Sequence, residues 1–551
     1  MVGAALERCS AGPDVGSRIA TQILHHLKGG HLLLRIGVDV GGTNTDAVVL
    51  KDKELLAAVK RSTTGDIESG VIAAIAEAMR QAEIGADDLD SVMIGTTQFT
   101  NAFVERRNLT PVGVIRLAFP TSTAVPPFCD WPESLNAMVH GQSVILGGGY
   151  EFDGREISPL DEFGIREAVR SFAAAGLKSV AISCAFAPLN VAMERRAGEI
   201  VREEMPEASI TLSSAFNRIG LIERENATAM NASLVDLSRH VVASFASALR
   251  DLDISVPFFI SQNDGTLMRA ADVAALPVLT FASGPTNSIR GAAFLTGIDE
   301  AIVVDIGGTT TDIGVLAGGF PRESAVAVEI GGVRTNFRMP DILSIGLGGG
   351  SIVKREEGDI KVGPQSVGYR IREEALIFGG RTLTATDIAV AGRNCSVGDR
   401  SRVSALDRPL VEAAMKRIDA LLVESVDRMK TASANVPVIL VGGGAIIVSS
   451  DMEGVSEIQV PRHSEVANAV GAAIAQISGE IDTIFDYGAM TREEALREAE
   501  AQATAQAVAA GAAARGISVV EREELPLNYL PGNYVRVRTK VVGNLNAVTC
   551  R

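Results

Sequence analysis

Apolar residues in this chain fall mostly into short continuous runs set between glycine-rich polar turns. Arg35 to Leu50 reads RIGVDVGGTNTDAVVL: an apolar run ends at Asp39, a polar turn follows, and a second apolar run begins. That pattern predicts a strand, a tight turn and a returning strand. Ala301 to Leu316 reads AIVVDIGGTTTDIGVL and repeats the pattern in register, with Asp305 and Asp312 where Asp39 and Asp46 stand. Two copies this far apart are a long-period internal repeat.

Elsewhere the period changes. Ile67, Val71, Ile75 and Met79 recur every four residues, as on a helix with one buried face. Val411, Met415, Ile418 and Leu422 mark a second such helix, and Ile165, Val169 and Phe172 a third. Pro111–Leu117, Ser179–Phe186, Val256–Ser261 and Pro437–Val441 read as strands. Ile222–Leu249 is a long helical stretch whose Glu223, Arg224, Glu225, Asn226 and Asn231 read as solvated. Ser464–Ile477 is a small-residue helix and Arg492–Ala514 a long Ala- and Glu-rich one. Leu525–Val542 reads as a terminal β add-on with alternating Tyr534, Arg536 and Arg538. Strands alternating with helices argue an α/β layer structure.

Length then sets the organisation. The chain has 551 residues, too many for one core, so two or three domains are expected. The expected division is a loosely ordered extension over 1–34, units over 35–210 and 211–480, and a C-terminal helix and small β extension over 481–551. A formal net charge of -16 disfavours a nucleic-acid partner. The five cysteines form no C-x-x-C pair, which argues against a disulfide framework or a zinc knuckle. No apolar stretch approaches the ~20 residues of a membrane span. Without a continuous apolar core for a signal peptide, a cytoplasmic protein is expected.

The repeated turn is suited to phosphate. Gly41 and Gly42, and again Gly307 and Gly308, let backbone N–H groups approach an anion closely because no Cβ intervenes. Thr43, Thr45, Thr309 and Thr310 add hydroxyl donors. Asp39, Asp46, Asp305 and Asp312 stand where a magnesium shell is expected, with Asp39 and Asp305 as the metal pair. Two such turns suggest two half-molecules facing one nucleotide. Gly442, Gly443 and Gly444, between a strand and a helix, suit a loop that contacts adenosine. Thr96, Thr97, Thr100 and Asn101 gather where a strand passes into a helix: they are either N-capping residues or the floor of a substrate pocket. Ser283 opens the turn SGPTNS and is a further pocket candidate.

These motifs, taken in order, resemble the hydantoinase/oxoprolinase family in its ATP-dependent hydantoinase A branch. They are GVDVGGTNTD (37–46), GTTQFTNAFVER (95–106), SGP (283–285), VDIGGTTTD (304–312), GGGS (348–351) followed by KVGPQS (361–366), TATD (384–387) and the triple glycine at 442. Gln98 and Phe99 depart from the family's usual GTT loop. Gly368-Tyr369-Arg370 replaces its glycine-proline-rich stretch. The resemblance implies an α/β fold of two actin-like (ribonuclease H-like) ATPase domains around a nucleotide cleft, with a small C-terminal extension. It implies ATP and magnesium as cofactors and a cyclic amide as substrate, a hydantoin, 5-oxoproline or a related lactam. That ring would open after phosphoryl transfer to the amide oxygen. It also implies a second, hydantoinase B-type subunit as partner, and an oligomer is compatible with it. Three alternatives use the same turns: a small-molecule kinase, a carboxylase subunit of the acetone carboxylase type, and a nucleotide-switched binding protein.

Overall fold

The computed structural model describes residues 33–546 except 43, 63–66, 217–218, 325–327, 337–338, 357, 394, 529 and 531. The expected extension therefore lies outside the described residues up to residue 32, as does Thr43.

The first apolar runs form the expected hairpin. Strand β1 (Leu34–Val40) pairs antiparallel with β2 (Asn44–Lys51), and β3 (Glu54–Ser62) continues beside β2. Helix α1 (Ile67–Ala82) crosses to β4 (Ser91–Thr96), which lies parallel to β1. Both faces of β1 are covered, which is why its sequence is a continuous apolar run without alternation.

After the short helix α2 (Gln98–Val104) the chain leaves this sheet for a second, all-parallel one. Its strands are β5 (Val112–Phe119), β6 (His140–Gly147), β7 (Ser179–Cys184) and β8 (Ser209–Leu212), in the order β6-β5-β7-β8. Helices α3 (Glu162–Ala174) and α4 (Ala192–Glu204) connect them.

The 31-residue helix α5 (Leu221–Asp251) returns the chain to the first sheet through β9 (Phe258–Ser261) and β10 (Thr266–Arg269). Here the structure corrects the sequence reading. Arg224, Glu225, Asn226 and Asn231 are buried, not solvated. Arg116 of β5 grips Glu225 with two hydrogen bonds of 2.7 and 2.5 Å, and Ser183 donates to the same carboxylate at 2.6 Å. Trp131 donates to Asn226 at 2.8 Å. Burying these charges is tolerable only because each meets a partner.

Helix α6 (Ser283–Thr296) leads into the second half: β11 (Ala301–Ile306), β12 (Thr311–Ala317) and the short β13 (Phe320–Pro321). Two small hairpins follow, β14 (Val328–Ile330) with β15 (Val333–Thr335), and β17 (Ser351–Glu356) with β18 (Asp359–Ser366). Between them β16 (Ile342–Ile345) pairs with β12. Helix α7 (Arg408–Met429) precedes β19 (Val436–Val441), which lies parallel to β11, and β20 (Val455–Gln459) closes this sheet.

Helix α8 (Ala467–Ile474) then packs across α6. The two helices meet through a reciprocal pair of glycines. A Cβ on Gly291 would lie 1.8 Å from the Ala467 carbonyl oxygen, and one on Gly471 would lie 1.8 Å from the Asn287 carbonyl oxygen. Gly37 of β1 gives α8 the same close access to the first sheet.

The last elements, β21 (Gln476–Asp486), α9 (Arg492–Ala510), β22 (Ser518–Pro526) and β23 (Tyr534–Gly543), are not a detached add-on. The three strands extend the first sheet to nine, in the order β22-β23-β21-β10-β9-β4-β1-β2-β3. Among the described residues no helix is long and apolar enough to cross a membrane.

Candidate functional site

The two hairpin turns have the same construction. In the first, Asp39 sits opposite Asp46, and the Gly41 N–H donates to the Asn44 carbonyl at 3.0 Å. In the second, Asp305 sits opposite Asp312, and the Gly307 N–H donates to the Thr310 carbonyl at 2.9 Å. Each aspartate that precedes the glycines ends a central strand flanked by a parallel neighbour, β4 or β19. Both turns face one cleft of about 450 Å³ between the two halves.

From the first turn Asp39, Gly41, Gly42 and Asp46 line this cleft, and from the second Asp305, Gly307, Gly308, Thr309 and Thr310. The triple glycine lines it too. Gly442 adopts φ 85°, and a Cβ there would fall 2.4 Å from an Asp305 carboxylate oxygen, so the position requires glycine. Gly444 donates to the Ile306 carbonyl at 2.8 Å, which fixes the loop against the second turn. Thr45 and Asp312 do not line the cleft: Thr45 is buried in β2, and Asp312 accepts from Ser344. The glycine loop after β16 is a brace for the second turn, with Gly349 and Gly350 donating to the carbonyls of Gly307 and Gly308 at 3.0 and 2.7 Å.

Three polar side chains emerge that the sequence reading missed. Lys60 of β3 stands directly opposite Asp46 across the sheet. It forms an ion pair with that carboxylate at 2.7 Å and donates to the Glu465 carbonyl at 2.9 Å. Asn468 of α8 donates to Asp39 at 2.7 Å, and Ser288 of α6 donates to Asp305 at 2.5 Å. Only the cross-strand register marks Lys60. Strand β3 follows the first hairpin, and its register places one residue against Asp46, just as Ser344 lies against Asp312 in the second half. The halves therefore differ in charge at this one equivalent position.

Burial acts on all four carboxylates. Burial pushes Asp39 up to about 7, with the Asp46 charge adding to it and Lys60 opposing it. Burial also raises Asp46, against the attraction of Lys60, and raises Asp305, against its bond from Ser288. Asp312 is pushed up to about 6, again chiefly by burial. One oxygen each of Asp39 and Asp46 is buried without a hydrogen-bond partner, and so are both polar atoms of the Asn287 side chain. Buried carboxylate oxygens left open in this way fit a divalent cation or its water shell. Among the described residues no three His, Cys, Asp or Glu side chains gather as a metal cage. A cation here would have to complete its shell with water and phosphate oxygens, as magnesium commonly does.

Thr96, Thr97, Asn101 and Ser283 do not line the cleft. They meet one another where α2 and α6 begin. Ser283 donates to the Thr96 carbonyl at 3.2 Å, and Asn101 donates to Thr97 at 3.3 Å. Gly95 links this cluster to the cleft: a Cβ there would lie 2.6 Å from an Asp39 carboxylate oxygen and 2.7 Å from the Asn287 amide nitrogen. Phe99, one of the two departures in this loop, is a buried core residue.

The chain is similar to known proteins in sequence and in fold. Residues 35–205 match the hydantoinase/oxoprolinase N-terminal region, and residues 224–393 match hydantoinase/oxoprolinase. The caprolactamase subunit alpha of Pseudomonas jessenii is 28% identical over 389 residues, 65% of this chain and 54% of that protein. The acetophenone carboxylase gamma subunit of Aromatoleum aromaticum is 26% identical over 387 residues, 64% of this chain and 52% of that protein. The aligned part thus spans about half the length of these relatives. The crystal structure of the ATP-dependent caprolactamase from Pseudomonas jessenii superposes with a TM-score of 0.73 at 22% identity, over 93% of this chain and 88% of that one. The expected α/β fold of two actin-like domains is the one found. The chain belongs to the hydantoinase/oxoprolinase family.

Proposed function

We propose that the protein opens a cyclic amide at the expense of ATP. The observation that carries this reading is the pair of matched hairpin turns facing one cleft. Amide resonance makes a lactam a poor electrophile toward water. In the proposed route the lactam oxygen attacks the γ-phosphorus and ADP leaves. Water then adds to the activated carbon, the ring nitrogen takes up a proton and departs, and a second water releases phosphate. The net consumption is one ATP and two waters per ring opened.

The chain's own groups supply position and charge. Backbone N–H groups of Gly42 and Gly308, with the Thr309 and Thr310 hydroxyls, would cradle the phosphates; Gly41 and Gly307, whose N–H groups close the turns, would allow close approach, and Gly442–Gly444 would lie along the adenosine. Lys60, held between Asp46 and the Glu465 carbonyl, would offset the charge that develops on the transferring phosphoryl group. Asp39 and Asp305 would hold magnesium, which when bound neutralises phosphate charge; Asp46, which lines the cleft, would orient water around it. Thr96, Thr97, Asn101 and Ser283, beyond Gly95, would form the lactam side of the site. Because the relatives are named as subunits, a second, hydantoinase B-type chain is part of the proposal.

The acetophenone carboxylase relative favours a second reading, in which the acceptor is a ketone or bicarbonate. Incubation with magnesium, ATP and a panel of lactams and hydantoins, followed by mass spectrometry, separates the two. Ring-opened amino acid formed together with ADP supports the amide reading. Turnover that requires bicarbonate and a ketone, or a stable phosphoester product, contradicts it.

A further inference from the structure

The twin turns account for the phosphate end of the cleft and leave open what holds the flat end of a nucleotide. Among the described residues lining the cleft, Tyr369 is the only aromatic side chain. It is 68% exposed, so its ring is free for a planar partner. The turn that carries it is tied to the second phosphate turn. The Ser366 hydroxyl donates to the Gly308 carbonyl at 3.2 Å and accepts from the Gly368 N–H at 3.0 Å. Gly368 adopts φ 56°, and a Cβ there would lie 3.7 Å from the Thr309 hydroxyl. Tyr369 thus follows directly on a residue tied to the second turn. Gly443, also in the cleft, projects no side chain, and a Cβ there would meet only Lys60 within 4 Å. Arg372, on the following turn, brings a guanidinium to the same rim.

We propose that Tyr369 is the base-stacking residue of the cleft and that the purine ring of the nucleotide lies against its face. This rests on the phosphate reading above. Stacking on an aromatic face is sensitive to loss of the ring and tolerant of loss of the hydroxyl.

The test is calorimetric titration of the full chain, with magnesium, against a non-hydrolysable ATP analogue and against inorganic triphosphate, which has no base. Tyr369→Ala is expected to weaken the analogue about tenfold and to leave triphosphate affinity unchanged, while Tyr369→Phe binds both as the parent does. Parental affinity of Tyr369→Ala for the analogue overturns the assignment. So does an equal loss of triphosphate binding, which would mean that the substitution has disturbed the turn beneath it. If the parent binds neither polyphosphate, the phosphate reading itself fails and the base assignment falls with it.

Discussion

Asp39 is the residue whose environment is most out of balance. Burial pushes its carboxyl up to about 7 in the folded protein, from the ordinary 3.8 of an unfolded chain. Between those values the folded protein holds a proton that the unfolded chain has lost. Raising the pH from 4 to 7 therefore draws stability down, by at most about 4 kcal/mol from this residue. Asp39→Asn is expected to flatten that slope and to raise the stability of the ligand-free protein at pH 8, while abolishing ATP turnover. Urea denaturation of parent and variant at pH 5 and pH 8 checks it; an unchanged slope contradicts it. Lys60 acts in the opposite sense, since its charge favours ionised Asp39, Asp46 and Asp305. Lys60→Ala is expected to lower turnover about a hundredfold or more and to move the acid limb of the pH–rate profile upward. A profile that falls in height without shifting would mean that Lys60 does not tune these carboxylates.

At the scale of elements, the crossing of α6 and α8 carries the groups that contact the aspartates. Ser288 on α6 reaches Asp305, and Asn468 on α8 reaches Asp39. The reciprocal glycines allow the two helices to approach closely enough for both contacts. Gly471→Ala adds one methyl group against a backbone oxygen, and is expected to destabilise by about 2 kcal/mol despite the better helix propensity of alanine. Thermal melting checks it, and a melting point at or above the parent's would contradict it. In the parallel sheet, Glu225→Ala strands Arg116 without a countercharge and is expected to cost about 3–5 kcal/mol, read by denaturant titration.

These elements were unequally legible in the sequence. The hairpins could be read because the repeat preserves both the apolar runs and the spacing of Asp39 to Asp46 and of Asp305 to Asp312. Lys60 could not, because its meaning comes from a cross-strand register that no local motif marks. Glu225 and Asn226 read as solvated because their partners Arg116, Ser183 and Trp131 stand far away in the chain.

At the scale of the molecule, matched turns from a nine-stranded and a six-stranded sheet line one cleft, and the difference between the halves gives that cleft direction. The first half brings a cation to its turn at Lys60, while the second brings a hydroxyl at Ser344 and an aromatic rim at Tyr369. The first sheet gathers strands from residues 34–96, 258–269 and 476–543, so the last strands of the chain belong to the same body as the first turn. Residues of both halves line the cleft. The most direct measurement is a crystal structure of the full chain with magnesium and a non-hydrolysable ATP analogue. The account predicts phosphate oxygens within hydrogen-bonding distance of backbone N–H groups in both Gly41–Asn44 and Gly307–Thr310. An analogue bound to one turn only, or lodged outside the cleft, would contradict it.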